Sequence, residues 1–240
     1  MKFTSAQIVH NPKKTHTAQL KQEVESFLTE KGIKVSQDGE VLITIGGDGT
    51  VLYHRKIISQ KPVFGIGTAS SFICSATHVT WKQELMKVIE HGYSVDERPM
   101  VSCELNGKLL DEGINEVWLR NSGHRIMNID LQIDDKTFLF RSDGIIVSTP
   151  LGSSSYAYSC GGDELPLHSK KFSIVAIAPY RRSFKPLAVS DESVCKIVAE
   201  CESPYFVAVD GQMVKELDKR TELKIYKSKN RAKFAIPIQK

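Results

Sequence analysis

The period of the hydrophobic positions changes once along this chain. Up to about residue 94, short β-branched runs alternate with longer stretches whose apolar residues recur every three to four positions. Residues 3–9, 41–45 and 62–67 read as strands. Between them, residues 15–31 bring Leu20, Val24, Phe27 and Leu28 onto one helical face and stop at Gly32. The stretch VLYHRKIIS after Thr50 aligns Val51, Leu52, Ile57 and Ile58, and residues 81–91 align Trp81, Leu85, Val88 and Ile89. This alternation predicts an α/β domain, a parallel sheet with helices packed on it. After Tyr93 the runs are short and strand-like: 100–105, 112–119, 126–133, 137–140, 144–149, 172–178, 193–200, 205–209 and 223–226. Asn106-Gly107 and Asp134-Asp135 mark hairpin turns. Basic residues at 227, 229, 231 and 233 fit the solvent face of a strand. The expected organisation is an α/β domain over residues 1–97 and a mostly β domain over 98–240, a sandwich or layered sheet.

Composition narrows the function without choosing it. The chain is 41% hydrophobic and 25% charged, with a net charge of +4. That suits an acidic small ligand, and the absence of a basic stripe interleaved with aromatics argues against nucleic acid. Five cysteines without a CxxC fit reduced thiols in a cytoplasmic protein, and seven histidines without metal spacing predict no metal held by the protein alone. No signal-peptide pattern and no membrane-length apolar run occurs in the sequence.

Two stretches carry candidate chemistry. The first, Ile45-Gly46-Gly47-Asp48-Gly49-Thr50, joins a buried strand to a helix. In one reading it is a tight turn in which Asp48 caps the helix. In the other, the glycines let a phosphorylated ligand approach the backbone, and Asp48 holds a metal or accepts a proton from an attacking hydroxyl. The second stretch, DGIIVSTPLGSSSYAYSCGG over residues 143–162, concentrates hydroxyls and aromatic rings within one strand and one loop. Gly-x-Ser-x-Gly is absent, so a pocket for a planar, sugar-bearing ligand fits better than a nucleophilic serine. Asn115 and Glu116 interrupt the apolar segment INEVWL and need partners there, either a structural network or a ribose diol. Val209-Asp210-Gly211-Gln212 reads, taken alone, as a hairpin turn.

Taken together, these segments resemble the NAD kinase family. IGGDGT, INEVWLR, RSDGIIVSTPLGSSSYAYSCGG and VDGQ occur in that family's order and at similar spacing, from about residue 43 to 212. GGDGT alone is shared with diacylglycerol and sphingosine kinases, whereas the long STP block is specific. The resemblance implies an α/β domain, a β domain and a site in the cleft between them. It also implies phosphoryl transfer to the 2′-hydroxyl of the adenosine ribose of NAD, giving NADP. The donor would be ATP, or in some members inorganic polyphosphate, with a divalent metal, Mg2+, brought by ATP. Asp48 would be the proton acceptor, with Gly46, Gly47, Gly49 and Thr50 forming the phosphate-facing turn. Asn115 and Glu116 match the pair that grips the ribose or nicotinamide side, and Arg141 and Asp143 match residues at the dinucleotide site. Ser154, Ser155, Tyr156 and Ser159 fall where the family lines the adenosine pocket, and Gln212 matches a late binding glutamine. Family members form dimers or tetramers in which a neighbour completes the site, so a homo-oligomer is expected. The chain departs from the family at Leu151, which replaces a hydroxyl residue, and at residues 65–73, GIGTASSFI, where an asparagine and an LGF triplet are missing. Those departures keep a non-catalytic dinucleotide-binding regulator open as an alternative. A GGDGT-type lipid kinase is the other alternative, but the sequence has no amphipathic, basic anchoring helix for it.

Overall fold

The five apolar residues Val41–Ile45 are buried along their whole length, as expected of an inner strand of a sheet covered on both faces. In the computed structural model, which describes residues 1–218 and 220–238, the chain forms two units. One comprises residues 1–97 together with the chain from Ala232 on, the other residues 98–231.

The first unit runs β1 (Ser5–His10), α1 (Thr15–Glu30), β2 (Lys34–Val35), β3 (Val41–Ile45), α2 (Asp48–Tyr53), α3 (Arg55–Ile58), β4 (Val63–Gly67), β5 (Ala76–Thr77) and α4 (Trp81–His91). Its strands lie in the order β4-β3-β1-β2, all parallel, and β5 adds in parallel beside the end of β4. From β1 the chain steps through α1 to β2 on one side, then crosses back to β3 on the other. The helices α1 and α4 bury Leu20, Val24, Leu28, Trp81, Leu85 and Val88 in one cluster with Ile43, Ile45, Phe64 and Ile66 of the sheet. Phe27 and Trp81 join the two helices edge to face at 5.5 Å. The single helix expected after Thr50 is two short ones, interrupted at His54 (φ −96°, ψ 20°), whose carbonyl accepts both the Ile57 and the Ile58 N–H.

The second unit follows β6 (Tyr93–Leu105), which begins before residue 98, with β7 (Lys108–Gly113), β8 (Glu116–Asn121), β9 (Met127–Ile133), β10 (Lys136–Ser142), β11 (Gly144–Ser148), α5 (Tyr156–Ser159), β12 (Lys171–Ile177), β13 (Leu187–Ser190), β14 (Cys195–Glu200), β15 (Tyr205–Val209), β16 (Gln212–Leu217) and β17 (Thr221–Pro237). A six-stranded antiparallel sheet has the order β13-β12-β11-β8-β15-β16. A second sheet has the order β10-β9-β14-β17, with β6 paired to β17 and β7 to β6. Alternate residues of both sheets share one core: Met127, Ile129, Leu131 and Ile133 from β9, for example, with Phe172, Ile174 and Ala176 from β12. On the other face of the six-stranded sheet, Ile146, Val175 and Ile177 pack against Ala157 of α5.

The strand expected over 112–119 is two strands, separated by a bend at Ile114 and Asn115. The last stretch, expected in the β domain, leaves it: from Ala232 on, β17 belongs to the first unit, where Phe234 pairs in parallel with Val63 of β4. Burial of Ala232, Phe234 and Ala235 drives that return.

Candidate functional site

In the first unit the IGGDGT turn connects the end of β3 to α2. Gly46 (φ 150°) and Gly47 (φ 122°) adopt backbone angles that side chains disfavour, and a Cβ on Gly46 would lie 2.5 Å from Thr50 Oγ1. The turn is braced by Gly46 N–H donating to the Ile66 carbonyl and by Lys14 Nζ donating to the Gly46 carbonyl at 2.8 Å. Asp48 does not cap the helix, since Gly47 holds the cap position and no side-chain cap forms. Instead its two carboxylate oxygens accept from the backbone N–H groups of Phe72 (2.7 Å) and Ile73 (3.0 Å). Two donors fix the plane of the carboxylate, and each oxygen keeps a further lone pair. The GIGTASSFI departure thus provides the grip on Asp48 through backbone groups, while the Phe72 side chain is 84% exposed. Burial, followed by the charge of Asp48, pushes the neighbouring Cys74 thiol up to about 12, so it stays protonated and unreactive. Gly49 is exposed, and the Thr50 hydroxyl is buried with no partner among the described residues.

In the second unit the Asn115-Glu116 bend is organised by a residue that local pattern reading took for hairpin punctuation. Asp210 lies at the β15–β16 turn, and its carboxylate accepts the backbone N–H groups of Ile114 (2.8 Å), Asn115 (2.7 Å) and Glu116 (3.2 Å). Asp210 is named in the sequence as part of VDGQ, but its three donors lie about a hundred residues upstream. Gln212 opens β16 at the same turn. Thr149 closes the bend from the other side, its hydroxyl donating to the Ile114 carbonyl at 2.6 Å and its N–H to the Asn115 carbonyl. Gly152 packs so closely that a Cβ there would lie 2.3 Å from Asn115 O. Within this frame Asn115 Oδ1 and Glu116 Oε2 are buried with no hydrogen-bond partner among the described residues. Burial first, and the Asp210 charge second, raise the Glu116 carboxyl to about 8. Two orphaned buried polar atoms side by side are costly, and a hydrogen-bonding ligand relieves the cost.

The STP block divides by burial. Ser148, Thr149 and Ser153 are buried and tied to backbone groups. Ser154, in a short 3-10 turn (Gly152–Ser154), Ser155 just before α5 and Ser159 within it are exposed, and Tyr156 meets Trp118 edge to face at 6.2 Å. These residues follow directly on the loop that closes over Asn115. Arg141 and Asp143 are not brought to that place. Asp143 accepts from the Asn121 amide at 3.3 Å, at the opposite end of β8 from Glu116, a separation of about 16 Å at strand rise. Arg141 lies over the Tyr180 ring at 5.1 Å. Among the described residues, no cluster of three His, Cys, Asp or Glu side chains has metal-binding geometry, and no helix is long and apolar enough to cross a membrane.

Comparison with known proteins places this geometry in context. Residues 114–236 match the family model described as the ATP-NAD kinase C-terminal domain. The NAD kinase of Methanothermobacter thermautotrophicus is 30% identical, over 90% of this chain and 86% of its own length. That of Thermoplasma acidophilum is 34% identical, over 88% and 79%. A crystal structure of an NAD kinase from Archaeoglobus fulgidus in complex with ATP superposes with a TM-score of 0.81 at 28% identity, covering 97% of this chain and 94% of that one. The yeast NADH kinase crystallised with NADH shares the fold, with a TM-score of 0.88 at 18% identity over 99% and 84% of the two chains.

Proposed function

Since the chain belongs to the NAD kinase family, we propose that it phosphorylates the 2′-hydroxyl of the adenosine ribose of NAD, with ATP as donor and NADP as product. The observation that carries this reading is the Asp48 carboxylate, held by two backbone N–H groups beside a Gly-Gly turn. In the proposed step the ribose oxygen bonds to the γ-phosphorus, its proton passes to Asp48, and the bond from the γ-phosphorus to the bridging oxygen breaks to release ADP. A divalent cation brought with ATP as part of the donor, Mg2+ by family analogy, would supply neutralisation of charge on the phosphates. A carboxylate is a weak base towards an alcohol, so most of the acceleration falls to positioning. Gly46, Gly47, Gly49 and Thr50 give the phosphates their approach.

Asn115 and Glu116 bind the dinucleotide through the two atoms left without partners, and Gln212 adds to that bend. Ser154, Ser155, Tyr156 and Ser159 form the wall for the adenosine. Arg141 and Asp143, a strand's length from Glu116, serve the dinucleotide site of a neighbouring copy in a homo-oligomer. Light scattering on the purified protein should then give the mass of a dimer or tetramer, and a monomer would leave Arg141 and Asp143 without this role. The central test is direct. Purified protein incubated with ATP, Mg2+ and NAD should make NADP, and Asp48→Asn should cut turnover by about 10²-fold or more while NAD still binds. NAD binding without NADP formation would identify a dinucleotide-binding regulator instead.

A further inference from the structure

We infer that Asp210 is a positioning residue of the dinucleotide site: it holds the Asn115–Glu116 bend, and it makes Glu116 meet a ligand hydroxyl as an uncharged hydrogen-bond donor. This rests on the reading of the bend as the place where NAD binds. Asp210 has two jobs, and the structure separates them. As a turn residue it joins Val209 to Gln212, which pair with each other, and Asp210 (φ 52°) and Gly211 (φ 72°) form the two-residue hairpin turn between them. Such turns take asparagine as readily as aspartate, so the turn needs no carboxylate. The bend does. Asp210 Oδ2 accepts the Ile114 N–H, and Oδ1 accepts those of Asn115 and Glu116. An asparagine has one acceptor oxygen and cannot serve both sides of this grip. Gly113 leaves room for it, because a Cβ there would lie 2.9 Å from Asp210 Oδ1.

The electrostatic half follows from what surrounds Glu116, whose side chain is buried. Across the sheet its partner on β11 is Ser148, and the STP loop brings Thr149 and Gly152 to the bend. None of these titrates near neutral pH. From the β15–β16 hairpin comes Asp210, whose three N–H donors favour its charged form. The charge acting on Glu116 is thus negative, and no cation among the described residues offsets it. A second buried anion there costs more than a neutral carboxyl. Accordingly, burial and the Asp210 charge raise the Glu116 carboxyl to about 8. The consequence is a choice of ligand chemistry. Asn115 Oδ1 can only accept, whereas a protonated Glu116 can donate. The bend therefore suits a ribose hydroxyl that donates to the first and accepts from the second. An ionised Glu116 would make two acceptors and demand two donating hydroxyls instead.

Calorimetric titration with NAD, without ATP, in two buffers of different ionisation enthalpy counts the protons that move on binding. Wild type should bind with almost no proton change at pH 7 and take up about half a proton or more near pH 9, as Glu116 regains its proton. Glu116→Gln should abolish that uptake. Asp210→Asn, with its fold checked by circular dichroism, should weaken NAD binding about tenfold at pH 7. It should also move the uptake to lower pH, because a negative charge has left the surroundings of Glu116. A merely structural Asp210 would lower affinity and leave the pH of the uptake in place. Proton release at pH 7, or an unmoved uptake in folded Asp210→Asn, overturns the inference. If Asp210→Asn does not fold, Gly113→Ala crowds the same carboxylate, and unchanged NAD affinity in that variant overturns the grip. Because binding is read without turnover, the expected proton uptake in a protein that makes no NADP would uphold Asp210's role and reject the kinase reading. NADP formation together with proton release on NAD binding at pH 7 would do the reverse.

Discussion

Glu116 and Asp48 are both carboxylates in the candidate machinery, and their settings divide their work. Glu116 is buried beside Asp210, with its carboxyl raised to about 8, so at neutral pH the ligand-free protein holds it mostly protonated. In the unfolded chain it ionises near 4.5. Below that value both states are protonated and burial costs nothing in charge. From about 4.5 to about 8 the unfolded state gives up its proton and the folded state does not, so folding stability falls as pH rises through this window. Melting curves should show that fall, and Glu116→Gln should flatten it. The same variant mimics the neutral carboxylic acid, so its loss of NAD affinity at pH 7 should be only about 1 kcal/mol in a calorimetric titration. Asp48 tests differently. An asparagine has a single acceptor oxygen, so Asp48→Asn cannot accept from Phe72 and Ile73 on separate oxygens. Besides losing turnover, it should lower stability by roughly 1 kcal/mol, read as a reduced melting temperature.

At the scale of elements, β9 was legible because its apolar residues alternate cleanly, and all four of them are buried. The bend before β8 was not legible. Ile114 continues the apolar run, and the force that breaks it comes from Asp210, far along the chain. The Asp48 grip escaped for the same reason: backbone N–H groups of residues 72 and 73 leave no mark in side-chain pattern. The interruption at His54 likewise lies inside an acceptable helical period. What the sequence did show was which side chains are chemically out of place, Asp48 among glycines and Asn115-Glu116 among apolar residues. The STP loop gives this scale its test. Gly152→Ala places a methyl group 2.3 Å from Asn115 O, so the loop and the bend must separate. The expected cost is about 1–3 kcal/mol of stability, together with weakened NAD binding. A stable variant with normal NAD affinity would show that the loop does not set the position of Asn115.

For the molecule as a whole, the division near residue 97 follows from the change of hydrophobic period, but the return of the chain from Ala232 does not. Strand β17 is 17 residues long, about three times an ordinary strand, and its buried positions shift from Thr221, Leu223 and Ile225 to Ser228, Ala232 and Phe234 as it passes from the second unit to the first. Phe234 is fully buried at that end. Phe234→Ala should cost about 3–5 kcal/mol, measured by denaturant unfolding. That return also sets an order of events during synthesis. Val63 emerges from the ribosome well before its strand partner Phe234. At bacterial or eukaryotic elongation rates the interval is on the order of ten seconds or more. Throughout it, the edge of β4 at Val63 stands without its final neighbour, leaving backbone groups unpaired at that end of an apolar strand, while its other end pairs with β5. The nascent chain is therefore open to mispairing at this edge until Phe234 is made, and nascent-chain chaperones have a long opportunity on the sheet of the first unit while the second is still being translated.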